Sequence, residues 1–149
     1  MDFRVATVDD LEVLISLREQ LLIDEGQDSS NTIKDELKGF FTKQLSDDLL
    51  VQWLVEDGDT VMATGGVQFI SFPPSFQNPS GRRGYILNMY THPNYRKQGL
   101  AKKLLNLCIE EARQRNVYHL FLISSEMGKP VYKKYGFSEN DIYMEYFLK

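Results

Sequence analysis

The sequence predicts an α/β (α+β) chain with a mixed, mostly antiparallel central sheet of six to seven strands and helices on both faces. Three observations carry this expectation. Strand-like and helix-like segments follow one another in the order β-α-α-β-β-β-α-β-α-β. A turn signal, Asp57-Gly58-Asp59, separates two runs rich in branched and aromatic residues, which makes them a hairpin. The most regular helical pattern, over 99–115, stands between two strand runs, so strands are joined both by turns and across helices.

Each element has its own local reason. Phe3 and Val5 alternate with Arg4, the mark of a short strand. Thr7 can cap a helix whose first turn carries Asp9 and Asp10, and Leu11, Leu14, Ile15, Leu21 and Leu22 recur near a 3.6 period. Gly26 and the polar run 27–31 stop it. A second helix covers 33–45, with Ile33, Leu37, Phe40 and Phe41 inward. The hairpin strands cover 49–56 and 60–72, and Gly65-Gly66 inside the second signals a bulge or a close backbone approach. Residues 73–84, with three prolines and two arginines, form the longest loop. A strand over 85–91 follows. The helix over 99–115 carries Ala101, Leu104, Leu105, Cys108 and Ala112 as its core stripe. The wholly apolar run 120–123 fits a buried strand. A short helix over 130–135 ends at Gly136, and a last strand covers 143–148.

The 149 residues suit one domain, 1–149. A hydrophobic fraction of 42 % and a charged fraction of 26 % are those of an ordinary globular protein. A net charge of −4 gives no electrostatic reason to expect nucleic acid as a partner. No apolar run reaches the roughly 18 residues of a membrane span, and the N-terminus has no apolar signal region, so no membrane partner is expected. Cys108 is the lone cysteine, which rules out an internal disulfide and points to a reducing, cytoplasmic location.

The segment with most chemical content is Tyr90-Thr91-His92-Pro93-Asn94-Tyr95-Arg96-Lys97-Gln98-Gly99-Leu100-Ala101-Lys102. A strand runs into it and a helix runs out. A helix start offers unpaired N–H groups and about half a positive charge, which suits a pyrophosphate. Gly99 and Ala101 are small enough for a close backbone approach, and Arg96, Lys97 and Lys102 add positive charge. An ordinary basic turn before an amphipathic helix would use the same residues. The Gly-Lys-Ser/Thr ending of a nucleotide loop and the further glycines of a dinucleotide fingerprint are both absent.

Arg96-x-x-Gly99-x-Ala101 resembles the Arg/Gln-x-x-Gly-x-Gly/Ala signature of the GCN5-related N-acetyltransferase (GNAT) superfamily. Downstream, Tyr132-Lys133-Lys134-Tyr135-Gly136-Phe137 resembles that family's short helix ending in Tyr-x-x-x-Gly-Phe. The resemblance implies a GNAT-like sheet in which two parallel strands, 85–91 and 120–123, splay apart to hold the cofactor. It implies acetyl-CoA as co-substrate, with no metal, and an amine-bearing acceptor. It places Met89, Tyr90, Thr91, Arg96, Lys97, Gln98, Gly99, Leu100, Ala101, Lys102, Ser125 and Tyr132 at the cofactor. Ser125 stands where many relatives carry an asparagine. Tyr132 is implied as general acid toward the departing thiolate. With a phenol pKa of about 10, the proton transfer to a thiol would be nearly balanced.

The implied reaction is acetyl transfer to a primary amine of a small molecule or peptide by direct attack. Many relatives carry a glutamate on the strand at 85–91, but the candidate position here is Asn88. It is no base at neutral pH, though it can orient a water or the amine. The carboxylates of Asp24, Glu25, Glu56 and Glu126 read as solvated charges, and no base is named. Phe40, Trp53, Phe69, Phe72, Phe76 and Tyr143 are candidate acceptor lining. Arg82 and Arg83, or else Asp24, Glu25 and Asp28, could select its charge. The missing strand carboxylate and Ser125 leave open an acyl-CoA-binding regulatory module. Relatives often pair, so a homodimer is possible.

Overall fold

A computed structural model describes residues Met1–Leu148. Its sheet has five strands in spatial order β1-β2-β3-β4-β5: β1 Asp2–Val5, β2 Leu50–Asp57, β3 Thr60–Ser71, β4 Arg82–Thr91 and β5 Leu120–Leu122. Four helices, α1 Leu11–Asp24, α2 Lys34–Ser46, α3 Leu100–Gln114 and α4 Lys129–Tyr135, complete it among the described residues. The first three strand pairs are antiparallel and the last, β4 with β5, is parallel. The mixed sheet is thus as expected, but with five strands instead of six or seven. The missing strand is the one expected over 143–148, where the chain forms no strand.

Two apolar layers flank the sheet. On one face, Leu105, Cys108 and Ala112 of α3 meet Val51, Val67, Phe69 and Ile86, and Leu104 meets Val55, Met62 and Ala63, so the stripe read from the sequence packs except for the half-buried Ala101. On the other, Leu14 of α1 and Phe41 of α2 close over Leu50 and Leu54. β4 begins three residues earlier than expected, so Arg82 and Arg83 belong to a strand and not to the loop. Their guanidinium groups lie over the Phe69 and Phe72 rings, Arg83 at 4.1 Å from the centroid. Expected as buried, β5 is instead half-buried along its length, because it is the sheet's edge.

Two glycines set the sheet's geometry. A Cβ on Gly84 would stand 2.5 Å from Leu120 Cδ2, so its absence lets β5 approach β4. A Cβ on Gly65 would stand 2.3 Å from Met89 Sδ, so Gly65 leaves room for a side chain from the neighbouring strand. The bulge signalled by Gly65-Gly66 is present. Asn88 and Met89 together oppose Gly65, two residues against one.

Burial among apolar neighbours pushes the Cys108 thiol up to about 12. Cys108 should therefore resist a disulfide reagent in the native protein at pH 8 and react fully after denaturation. Rapid labelling of the native chain would contradict the packing of α3.

Candidate functional site

β4 and β5 pair only at their beginnings, where Gly84, Tyr85 and Ile86 meet Leu120, Phe121 and Leu122. β4 then continues to Thr91 while β5 stops at Leu122. The two parallel strands therefore diverge, leaving one edge of β4 without a strand partner from Leu87 onward. The bulge falls in this free stretch.

Asn88 forms the bulge with φ of +57°, a left-handed conformation that asparagine tolerates better than most residues. Its side chain is buried and fully directed. Arg18 Nη1 donates to Asn88 Oδ1 at 3.2 Å, and Asn88 Nδ2 donates to Gln52 Oε1 at 3.1 Å. Gln52 Nε2 then donates to Thr64 Oγ1 at 2.9 Å, whose hydroxyl donates to the Trp53 carbonyl at 2.7 Å. An arginine can only donate, so Arg18 fixes the polarity of the whole chain of bonds. Asn88 is thereby a member of a buried network linking α1, β2, β3 and β4. The sequence did not single out Arg18. Its signal was position, since it follows Leu14 by four residues on the inward side of α1.

The loop leading into α3 has a geometry that suits an anion. Lys97 (φ +65°) and Gly99 (φ +78°) both take left-handed conformations, Arg96 between them and β4 being extended. Among the described residues, none of the backbone N–H groups from Lys97 to Lys102 meets a protein acceptor; the next, on Lys103, bonds to the Gly99 carbonyl at 3.2 Å. Consecutive free N–H groups at a helix start concentrate positive potential. No atom lies within 4 Å of a Cβ built on Gly99, so the glycine serves backbone conformation and outside access, not internal packing. The side chains of Lys97, Gln98 and Lys102 are exposed, Ala101 is half-buried and Leu100 is buried beneath the turn. Arg96 is turned back from the loop. Its Nε donates to the Thr91 carbonyl at 2.9 Å, and it lies 3.8 Å from Asp24 and over the Tyr90 ring. It braces the loop against β4 and occupies the Thr91 carbonyl. His92 Nδ1 accepts from the Asn94 N–H, a local role within the turn.

Across the divergence stands α4. Tyr132 packs against the layer under α3, with its ring edge-on to Phe137. Burial, with smaller contributions from Glu25, Cys108 and Tyr85, pushes its phenol up to about 12. The near-balance with a thiol expected from an ordinary phenol is therefore absent here. Tyr135 instead points its hydroxyl at Asn106 of α3, a packing role. Ser125 Oγ accepts from the Gly128 N–H at 3.1 Å, which leaves its own O–H free to donate.

Two concavities adjoin the divergence. One, of about 360 Å3, lies between the end of α1 (Asp24, Glu25) and residues 123–127, Ser125 included. The other, of about 390 Å3, lies between the sheet and α1/α2 and is lined by Arg18, Leu37, Phe40, Tyr85, Leu87 and Asn88 among others. Of the six expected acceptor-lining aromatics only Phe40 lines this cleft. Phe69 is core, Trp53 packs against the α3 layer, Phe72 meets Phe121 edge-on, and Phe76 and Tyr143 are exposed. Glu56 is held by Arg4 on β1, remote from the divergence.

Comparison with known proteins decides the family. The model of the acetyltransferase (GNAT) family matches residues 15–137. The chain belongs to the GNAT acetyltransferase family. Within it, the chain is similar to a predicted acetyltransferase of Clostridium acetobutylicum solved with acetyl-CoA. The two share 41 % identity over 98 % of this chain and 95 % of that one, with a TM-score of 0.96. It is also similar to a GCN5-related N-acetyltransferase of Ralstonia eutropha, at 29 % identity over 98 % and 97 % of the chains and a TM-score of 0.91. A third relative, a glucosamine 6-phosphate N-acetyltransferase of Trypanosoma brucei brucei, is 32 % identical over 76 residues. That match spans about half of each chain, 51 % of this one and 52 % of the other. No helix among the described residues is long and apolar enough to cross a membrane.

Replacing Asn88 by alanine strands the Gln52 acceptor and the Arg18 donor in a buried place. The cost should be about 1–3 kcal/mol in a urea titration. An unchanged midpoint would show that the network does not hold the bulge.

Proposed function

We propose that this GNAT chain transfers the acetyl group of acetyl-CoA to a primary amine of a small molecule or peptide by direct attack. The observation that carries the reading is the run of unpartnered N–H groups from Lys97 to Lys102, at the open end of two diverging parallel strands. A pyrophosphate would be held by these N–H groups and the α3 dipole, with Lys97 and Lys102 adding charge. The pantetheine arm would lie along the free edge of β4, its amides pairing with the backbone as an added strand does. A neighbour solved with acetyl-CoA at 41 % identity supports this choice of co-substrate.

In this reading the thioester reaches the bulge. The bulge residues Asn88 and Met89 leave the ladder, so the N–H of Met89 is available to the oxyanion of the tetrahedral intermediate, whereas Tyr90 is paired with Thr64. Asn88 is a positioning residue, since its amide is spent on Gln52 and Arg18. The acceptor occupies the cleft beside Arg18, Phe40, Tyr85 and Leu87. No protein base is required, because the free fraction of the amine attacks and its proton passes to water. Ser125 offers its hydroxyl hydrogen to the arm. Tyr132 donates a hydrogen bond to the departing sulfur. At about 12 its phenol lies well above a thiol near 8.5, so it stabilises the leaving group without giving up its proton completely.

Three outcomes test these roles. A side chain at Gly99 forces a residue with a Cβ into a left-handed conformation costing about 1–2 kcal/mol. Gly99→Val should weaken acetyl-CoA binding about tenfold or more by calorimetry, and unchanged affinity would remove the cradle from the cofactor site. Tyr132→Phe, assayed by thiol release over a panel of amines, should lower kcat about a hundred-fold or more while acetyl-CoA still binds. The native phenol stays protonated until pH approaches 12, so kcat should show no falling limb from this group below about pH 10. A Tyr132→Phe enzyme with full kcat would contradict the assignment.

A further inference from the structure

Arg18 brings an unmatched positive charge to the cleft between the sheet and α1/α2. Its guanidinium lines the cleft beside the bulge, where Nη1 donates to Asn88 Oδ1 at 3.2 Å. Among the described residues it makes no other hydrogen bond and no ion pair. The Asn88 amide is a neutral acceptor, so the charge stays whole and the remaining N–H groups of the fork stay open. A half-buried cation among apolar neighbours is poorly matched until an anion joins it. Tyr85 shares the cleft, and its hydroxyl has no partner among the described residues. Burial raises the Tyr85 phenol, while the nearby charge of Arg18 acts against that rise. The phenol therefore keeps its hydrogen near neutral pH and can donate it. Ile33, Leu37, Phe40 and Leu87 make the apolar wall. Glu36 also lines the cleft, but it is exposed in the first turn of α2, where solvent screens it.

Resting on the acetyl-transfer reading of this site, we infer that the acceptor is a free α-amino acid with an apolar side chain. The fork of Arg18 takes the carboxylate, with the Tyr85 hydroxyl as a second donor. Arg18 is bonded to the bulge residue itself, and the thioester is attacked at the bulge. Carboxylate and amine must therefore be close neighbours in the acceptor, as they are on one α-carbon. An anion at the far end of a longer amine would fall beyond Arg18. A peptide N-terminus carries an amide where the carboxylate should be and leaves Arg18 unmatched. The side chain enters among Ile33, Leu37, Phe40 and Leu87. A cleft of about 390 Å3 lies at the small end of ligand sites, which suits a single amino acid. In the transfer the amine nitrogen bonds to the acetyl carbon and the C–S bond breaks. The proton lost by the amine and the one gained by the thiolate both pass through water, and the products are an N-acetyl amino acid and coenzyme A.

Thiol release from acetyl-CoA, measured over apolar amino acids such as leucine and phenylalanine, their carboxamides, and the matching amines isopentylamine and phenethylamine, tests this. The acids should exceed the amides and amines in kcat/KM by about a hundredfold or more. The carboxamides give up their ammonium proton more readily than the acids, so such a preference does not come from amine ionisation. Arg18→Gln should raise KM for the acids and erase their advantage over the amides. A role confined to holding Asn88 would instead lower all three classes alike. Equal rates across the classes, a preference for acidic or basic side chains, or an acid preference that Arg18→Gln leaves intact overturns the inference while acetyl transfer itself stands. No thiol release with any acceptor, from protein whose melting temperature rises with acetyl-CoA, overturns the inference and the transferase reading together.

Discussion

The site depends on one irregularity, the bulge at which Asn88 and Met89 of β4 face the single Gly65 of β3. It is over-determined. Asparagine accepts the left-handed backbone, Gly65 leaves the space that Met89 enters, and a one-way chain of hydrogen bonds from Arg18 to the Trp53 carbonyl ties it to three other elements. An unpaired member of that chain would cost more than the bonds gain, so the network holds all its parts or none. The consequence is a stretch of β4 whose backbone is withdrawn from the ladder where β5 has already ended.

The second constraint is the turn from β4 into α3. Two left-handed residues bend the chain so that the first N–H groups of the helix and those just before it face outward. Arg96 spends its charge within the protein, on the Thr91 carbonyl and Asp24. The anion binding proposed for the loop therefore rests on backbone geometry, with exposed lysines as helpers. The same economy holds at α4, where Ser125 caps the turn and burial raises the phenol of Tyr132.

Much of this was legible in the sequence, for local reasons. The α3 stripe, the turn at Gly58, the stop at Gly136 and the bulge signalled by Gly65-Gly66 depend on residues near one another in the chain. What escaped depends on distance. Arg18 acquires meaning from Asn88, seventy residues away. Arg82 and Arg83 looked like loop residues because Gly84 interrupts the strand pattern, and only the packing of Leu120 explains that glycine. The last strand was expected over 143–148 from composition, yet a strand needs a ladder as well as a pattern, and those residues form none. The phenol of Tyr132 was expected to be ordinary because burial is invisible to a motif.

The central claim is that the backbone of the β4–α3 turn and the free edge of β4 bind acetyl-CoA. Amide chemical shifts followed by NMR during titration with acetyl-CoA test it most directly. The account predicts large, saturable shifts at Lys97, Gln98, Gly99, Leu100, Ala101 and Lys102 and along β4 from Asn88 to Thr91, with β1 and α2 unmoved. Saturable shifts confined to other elements, or none at all, would contradict it.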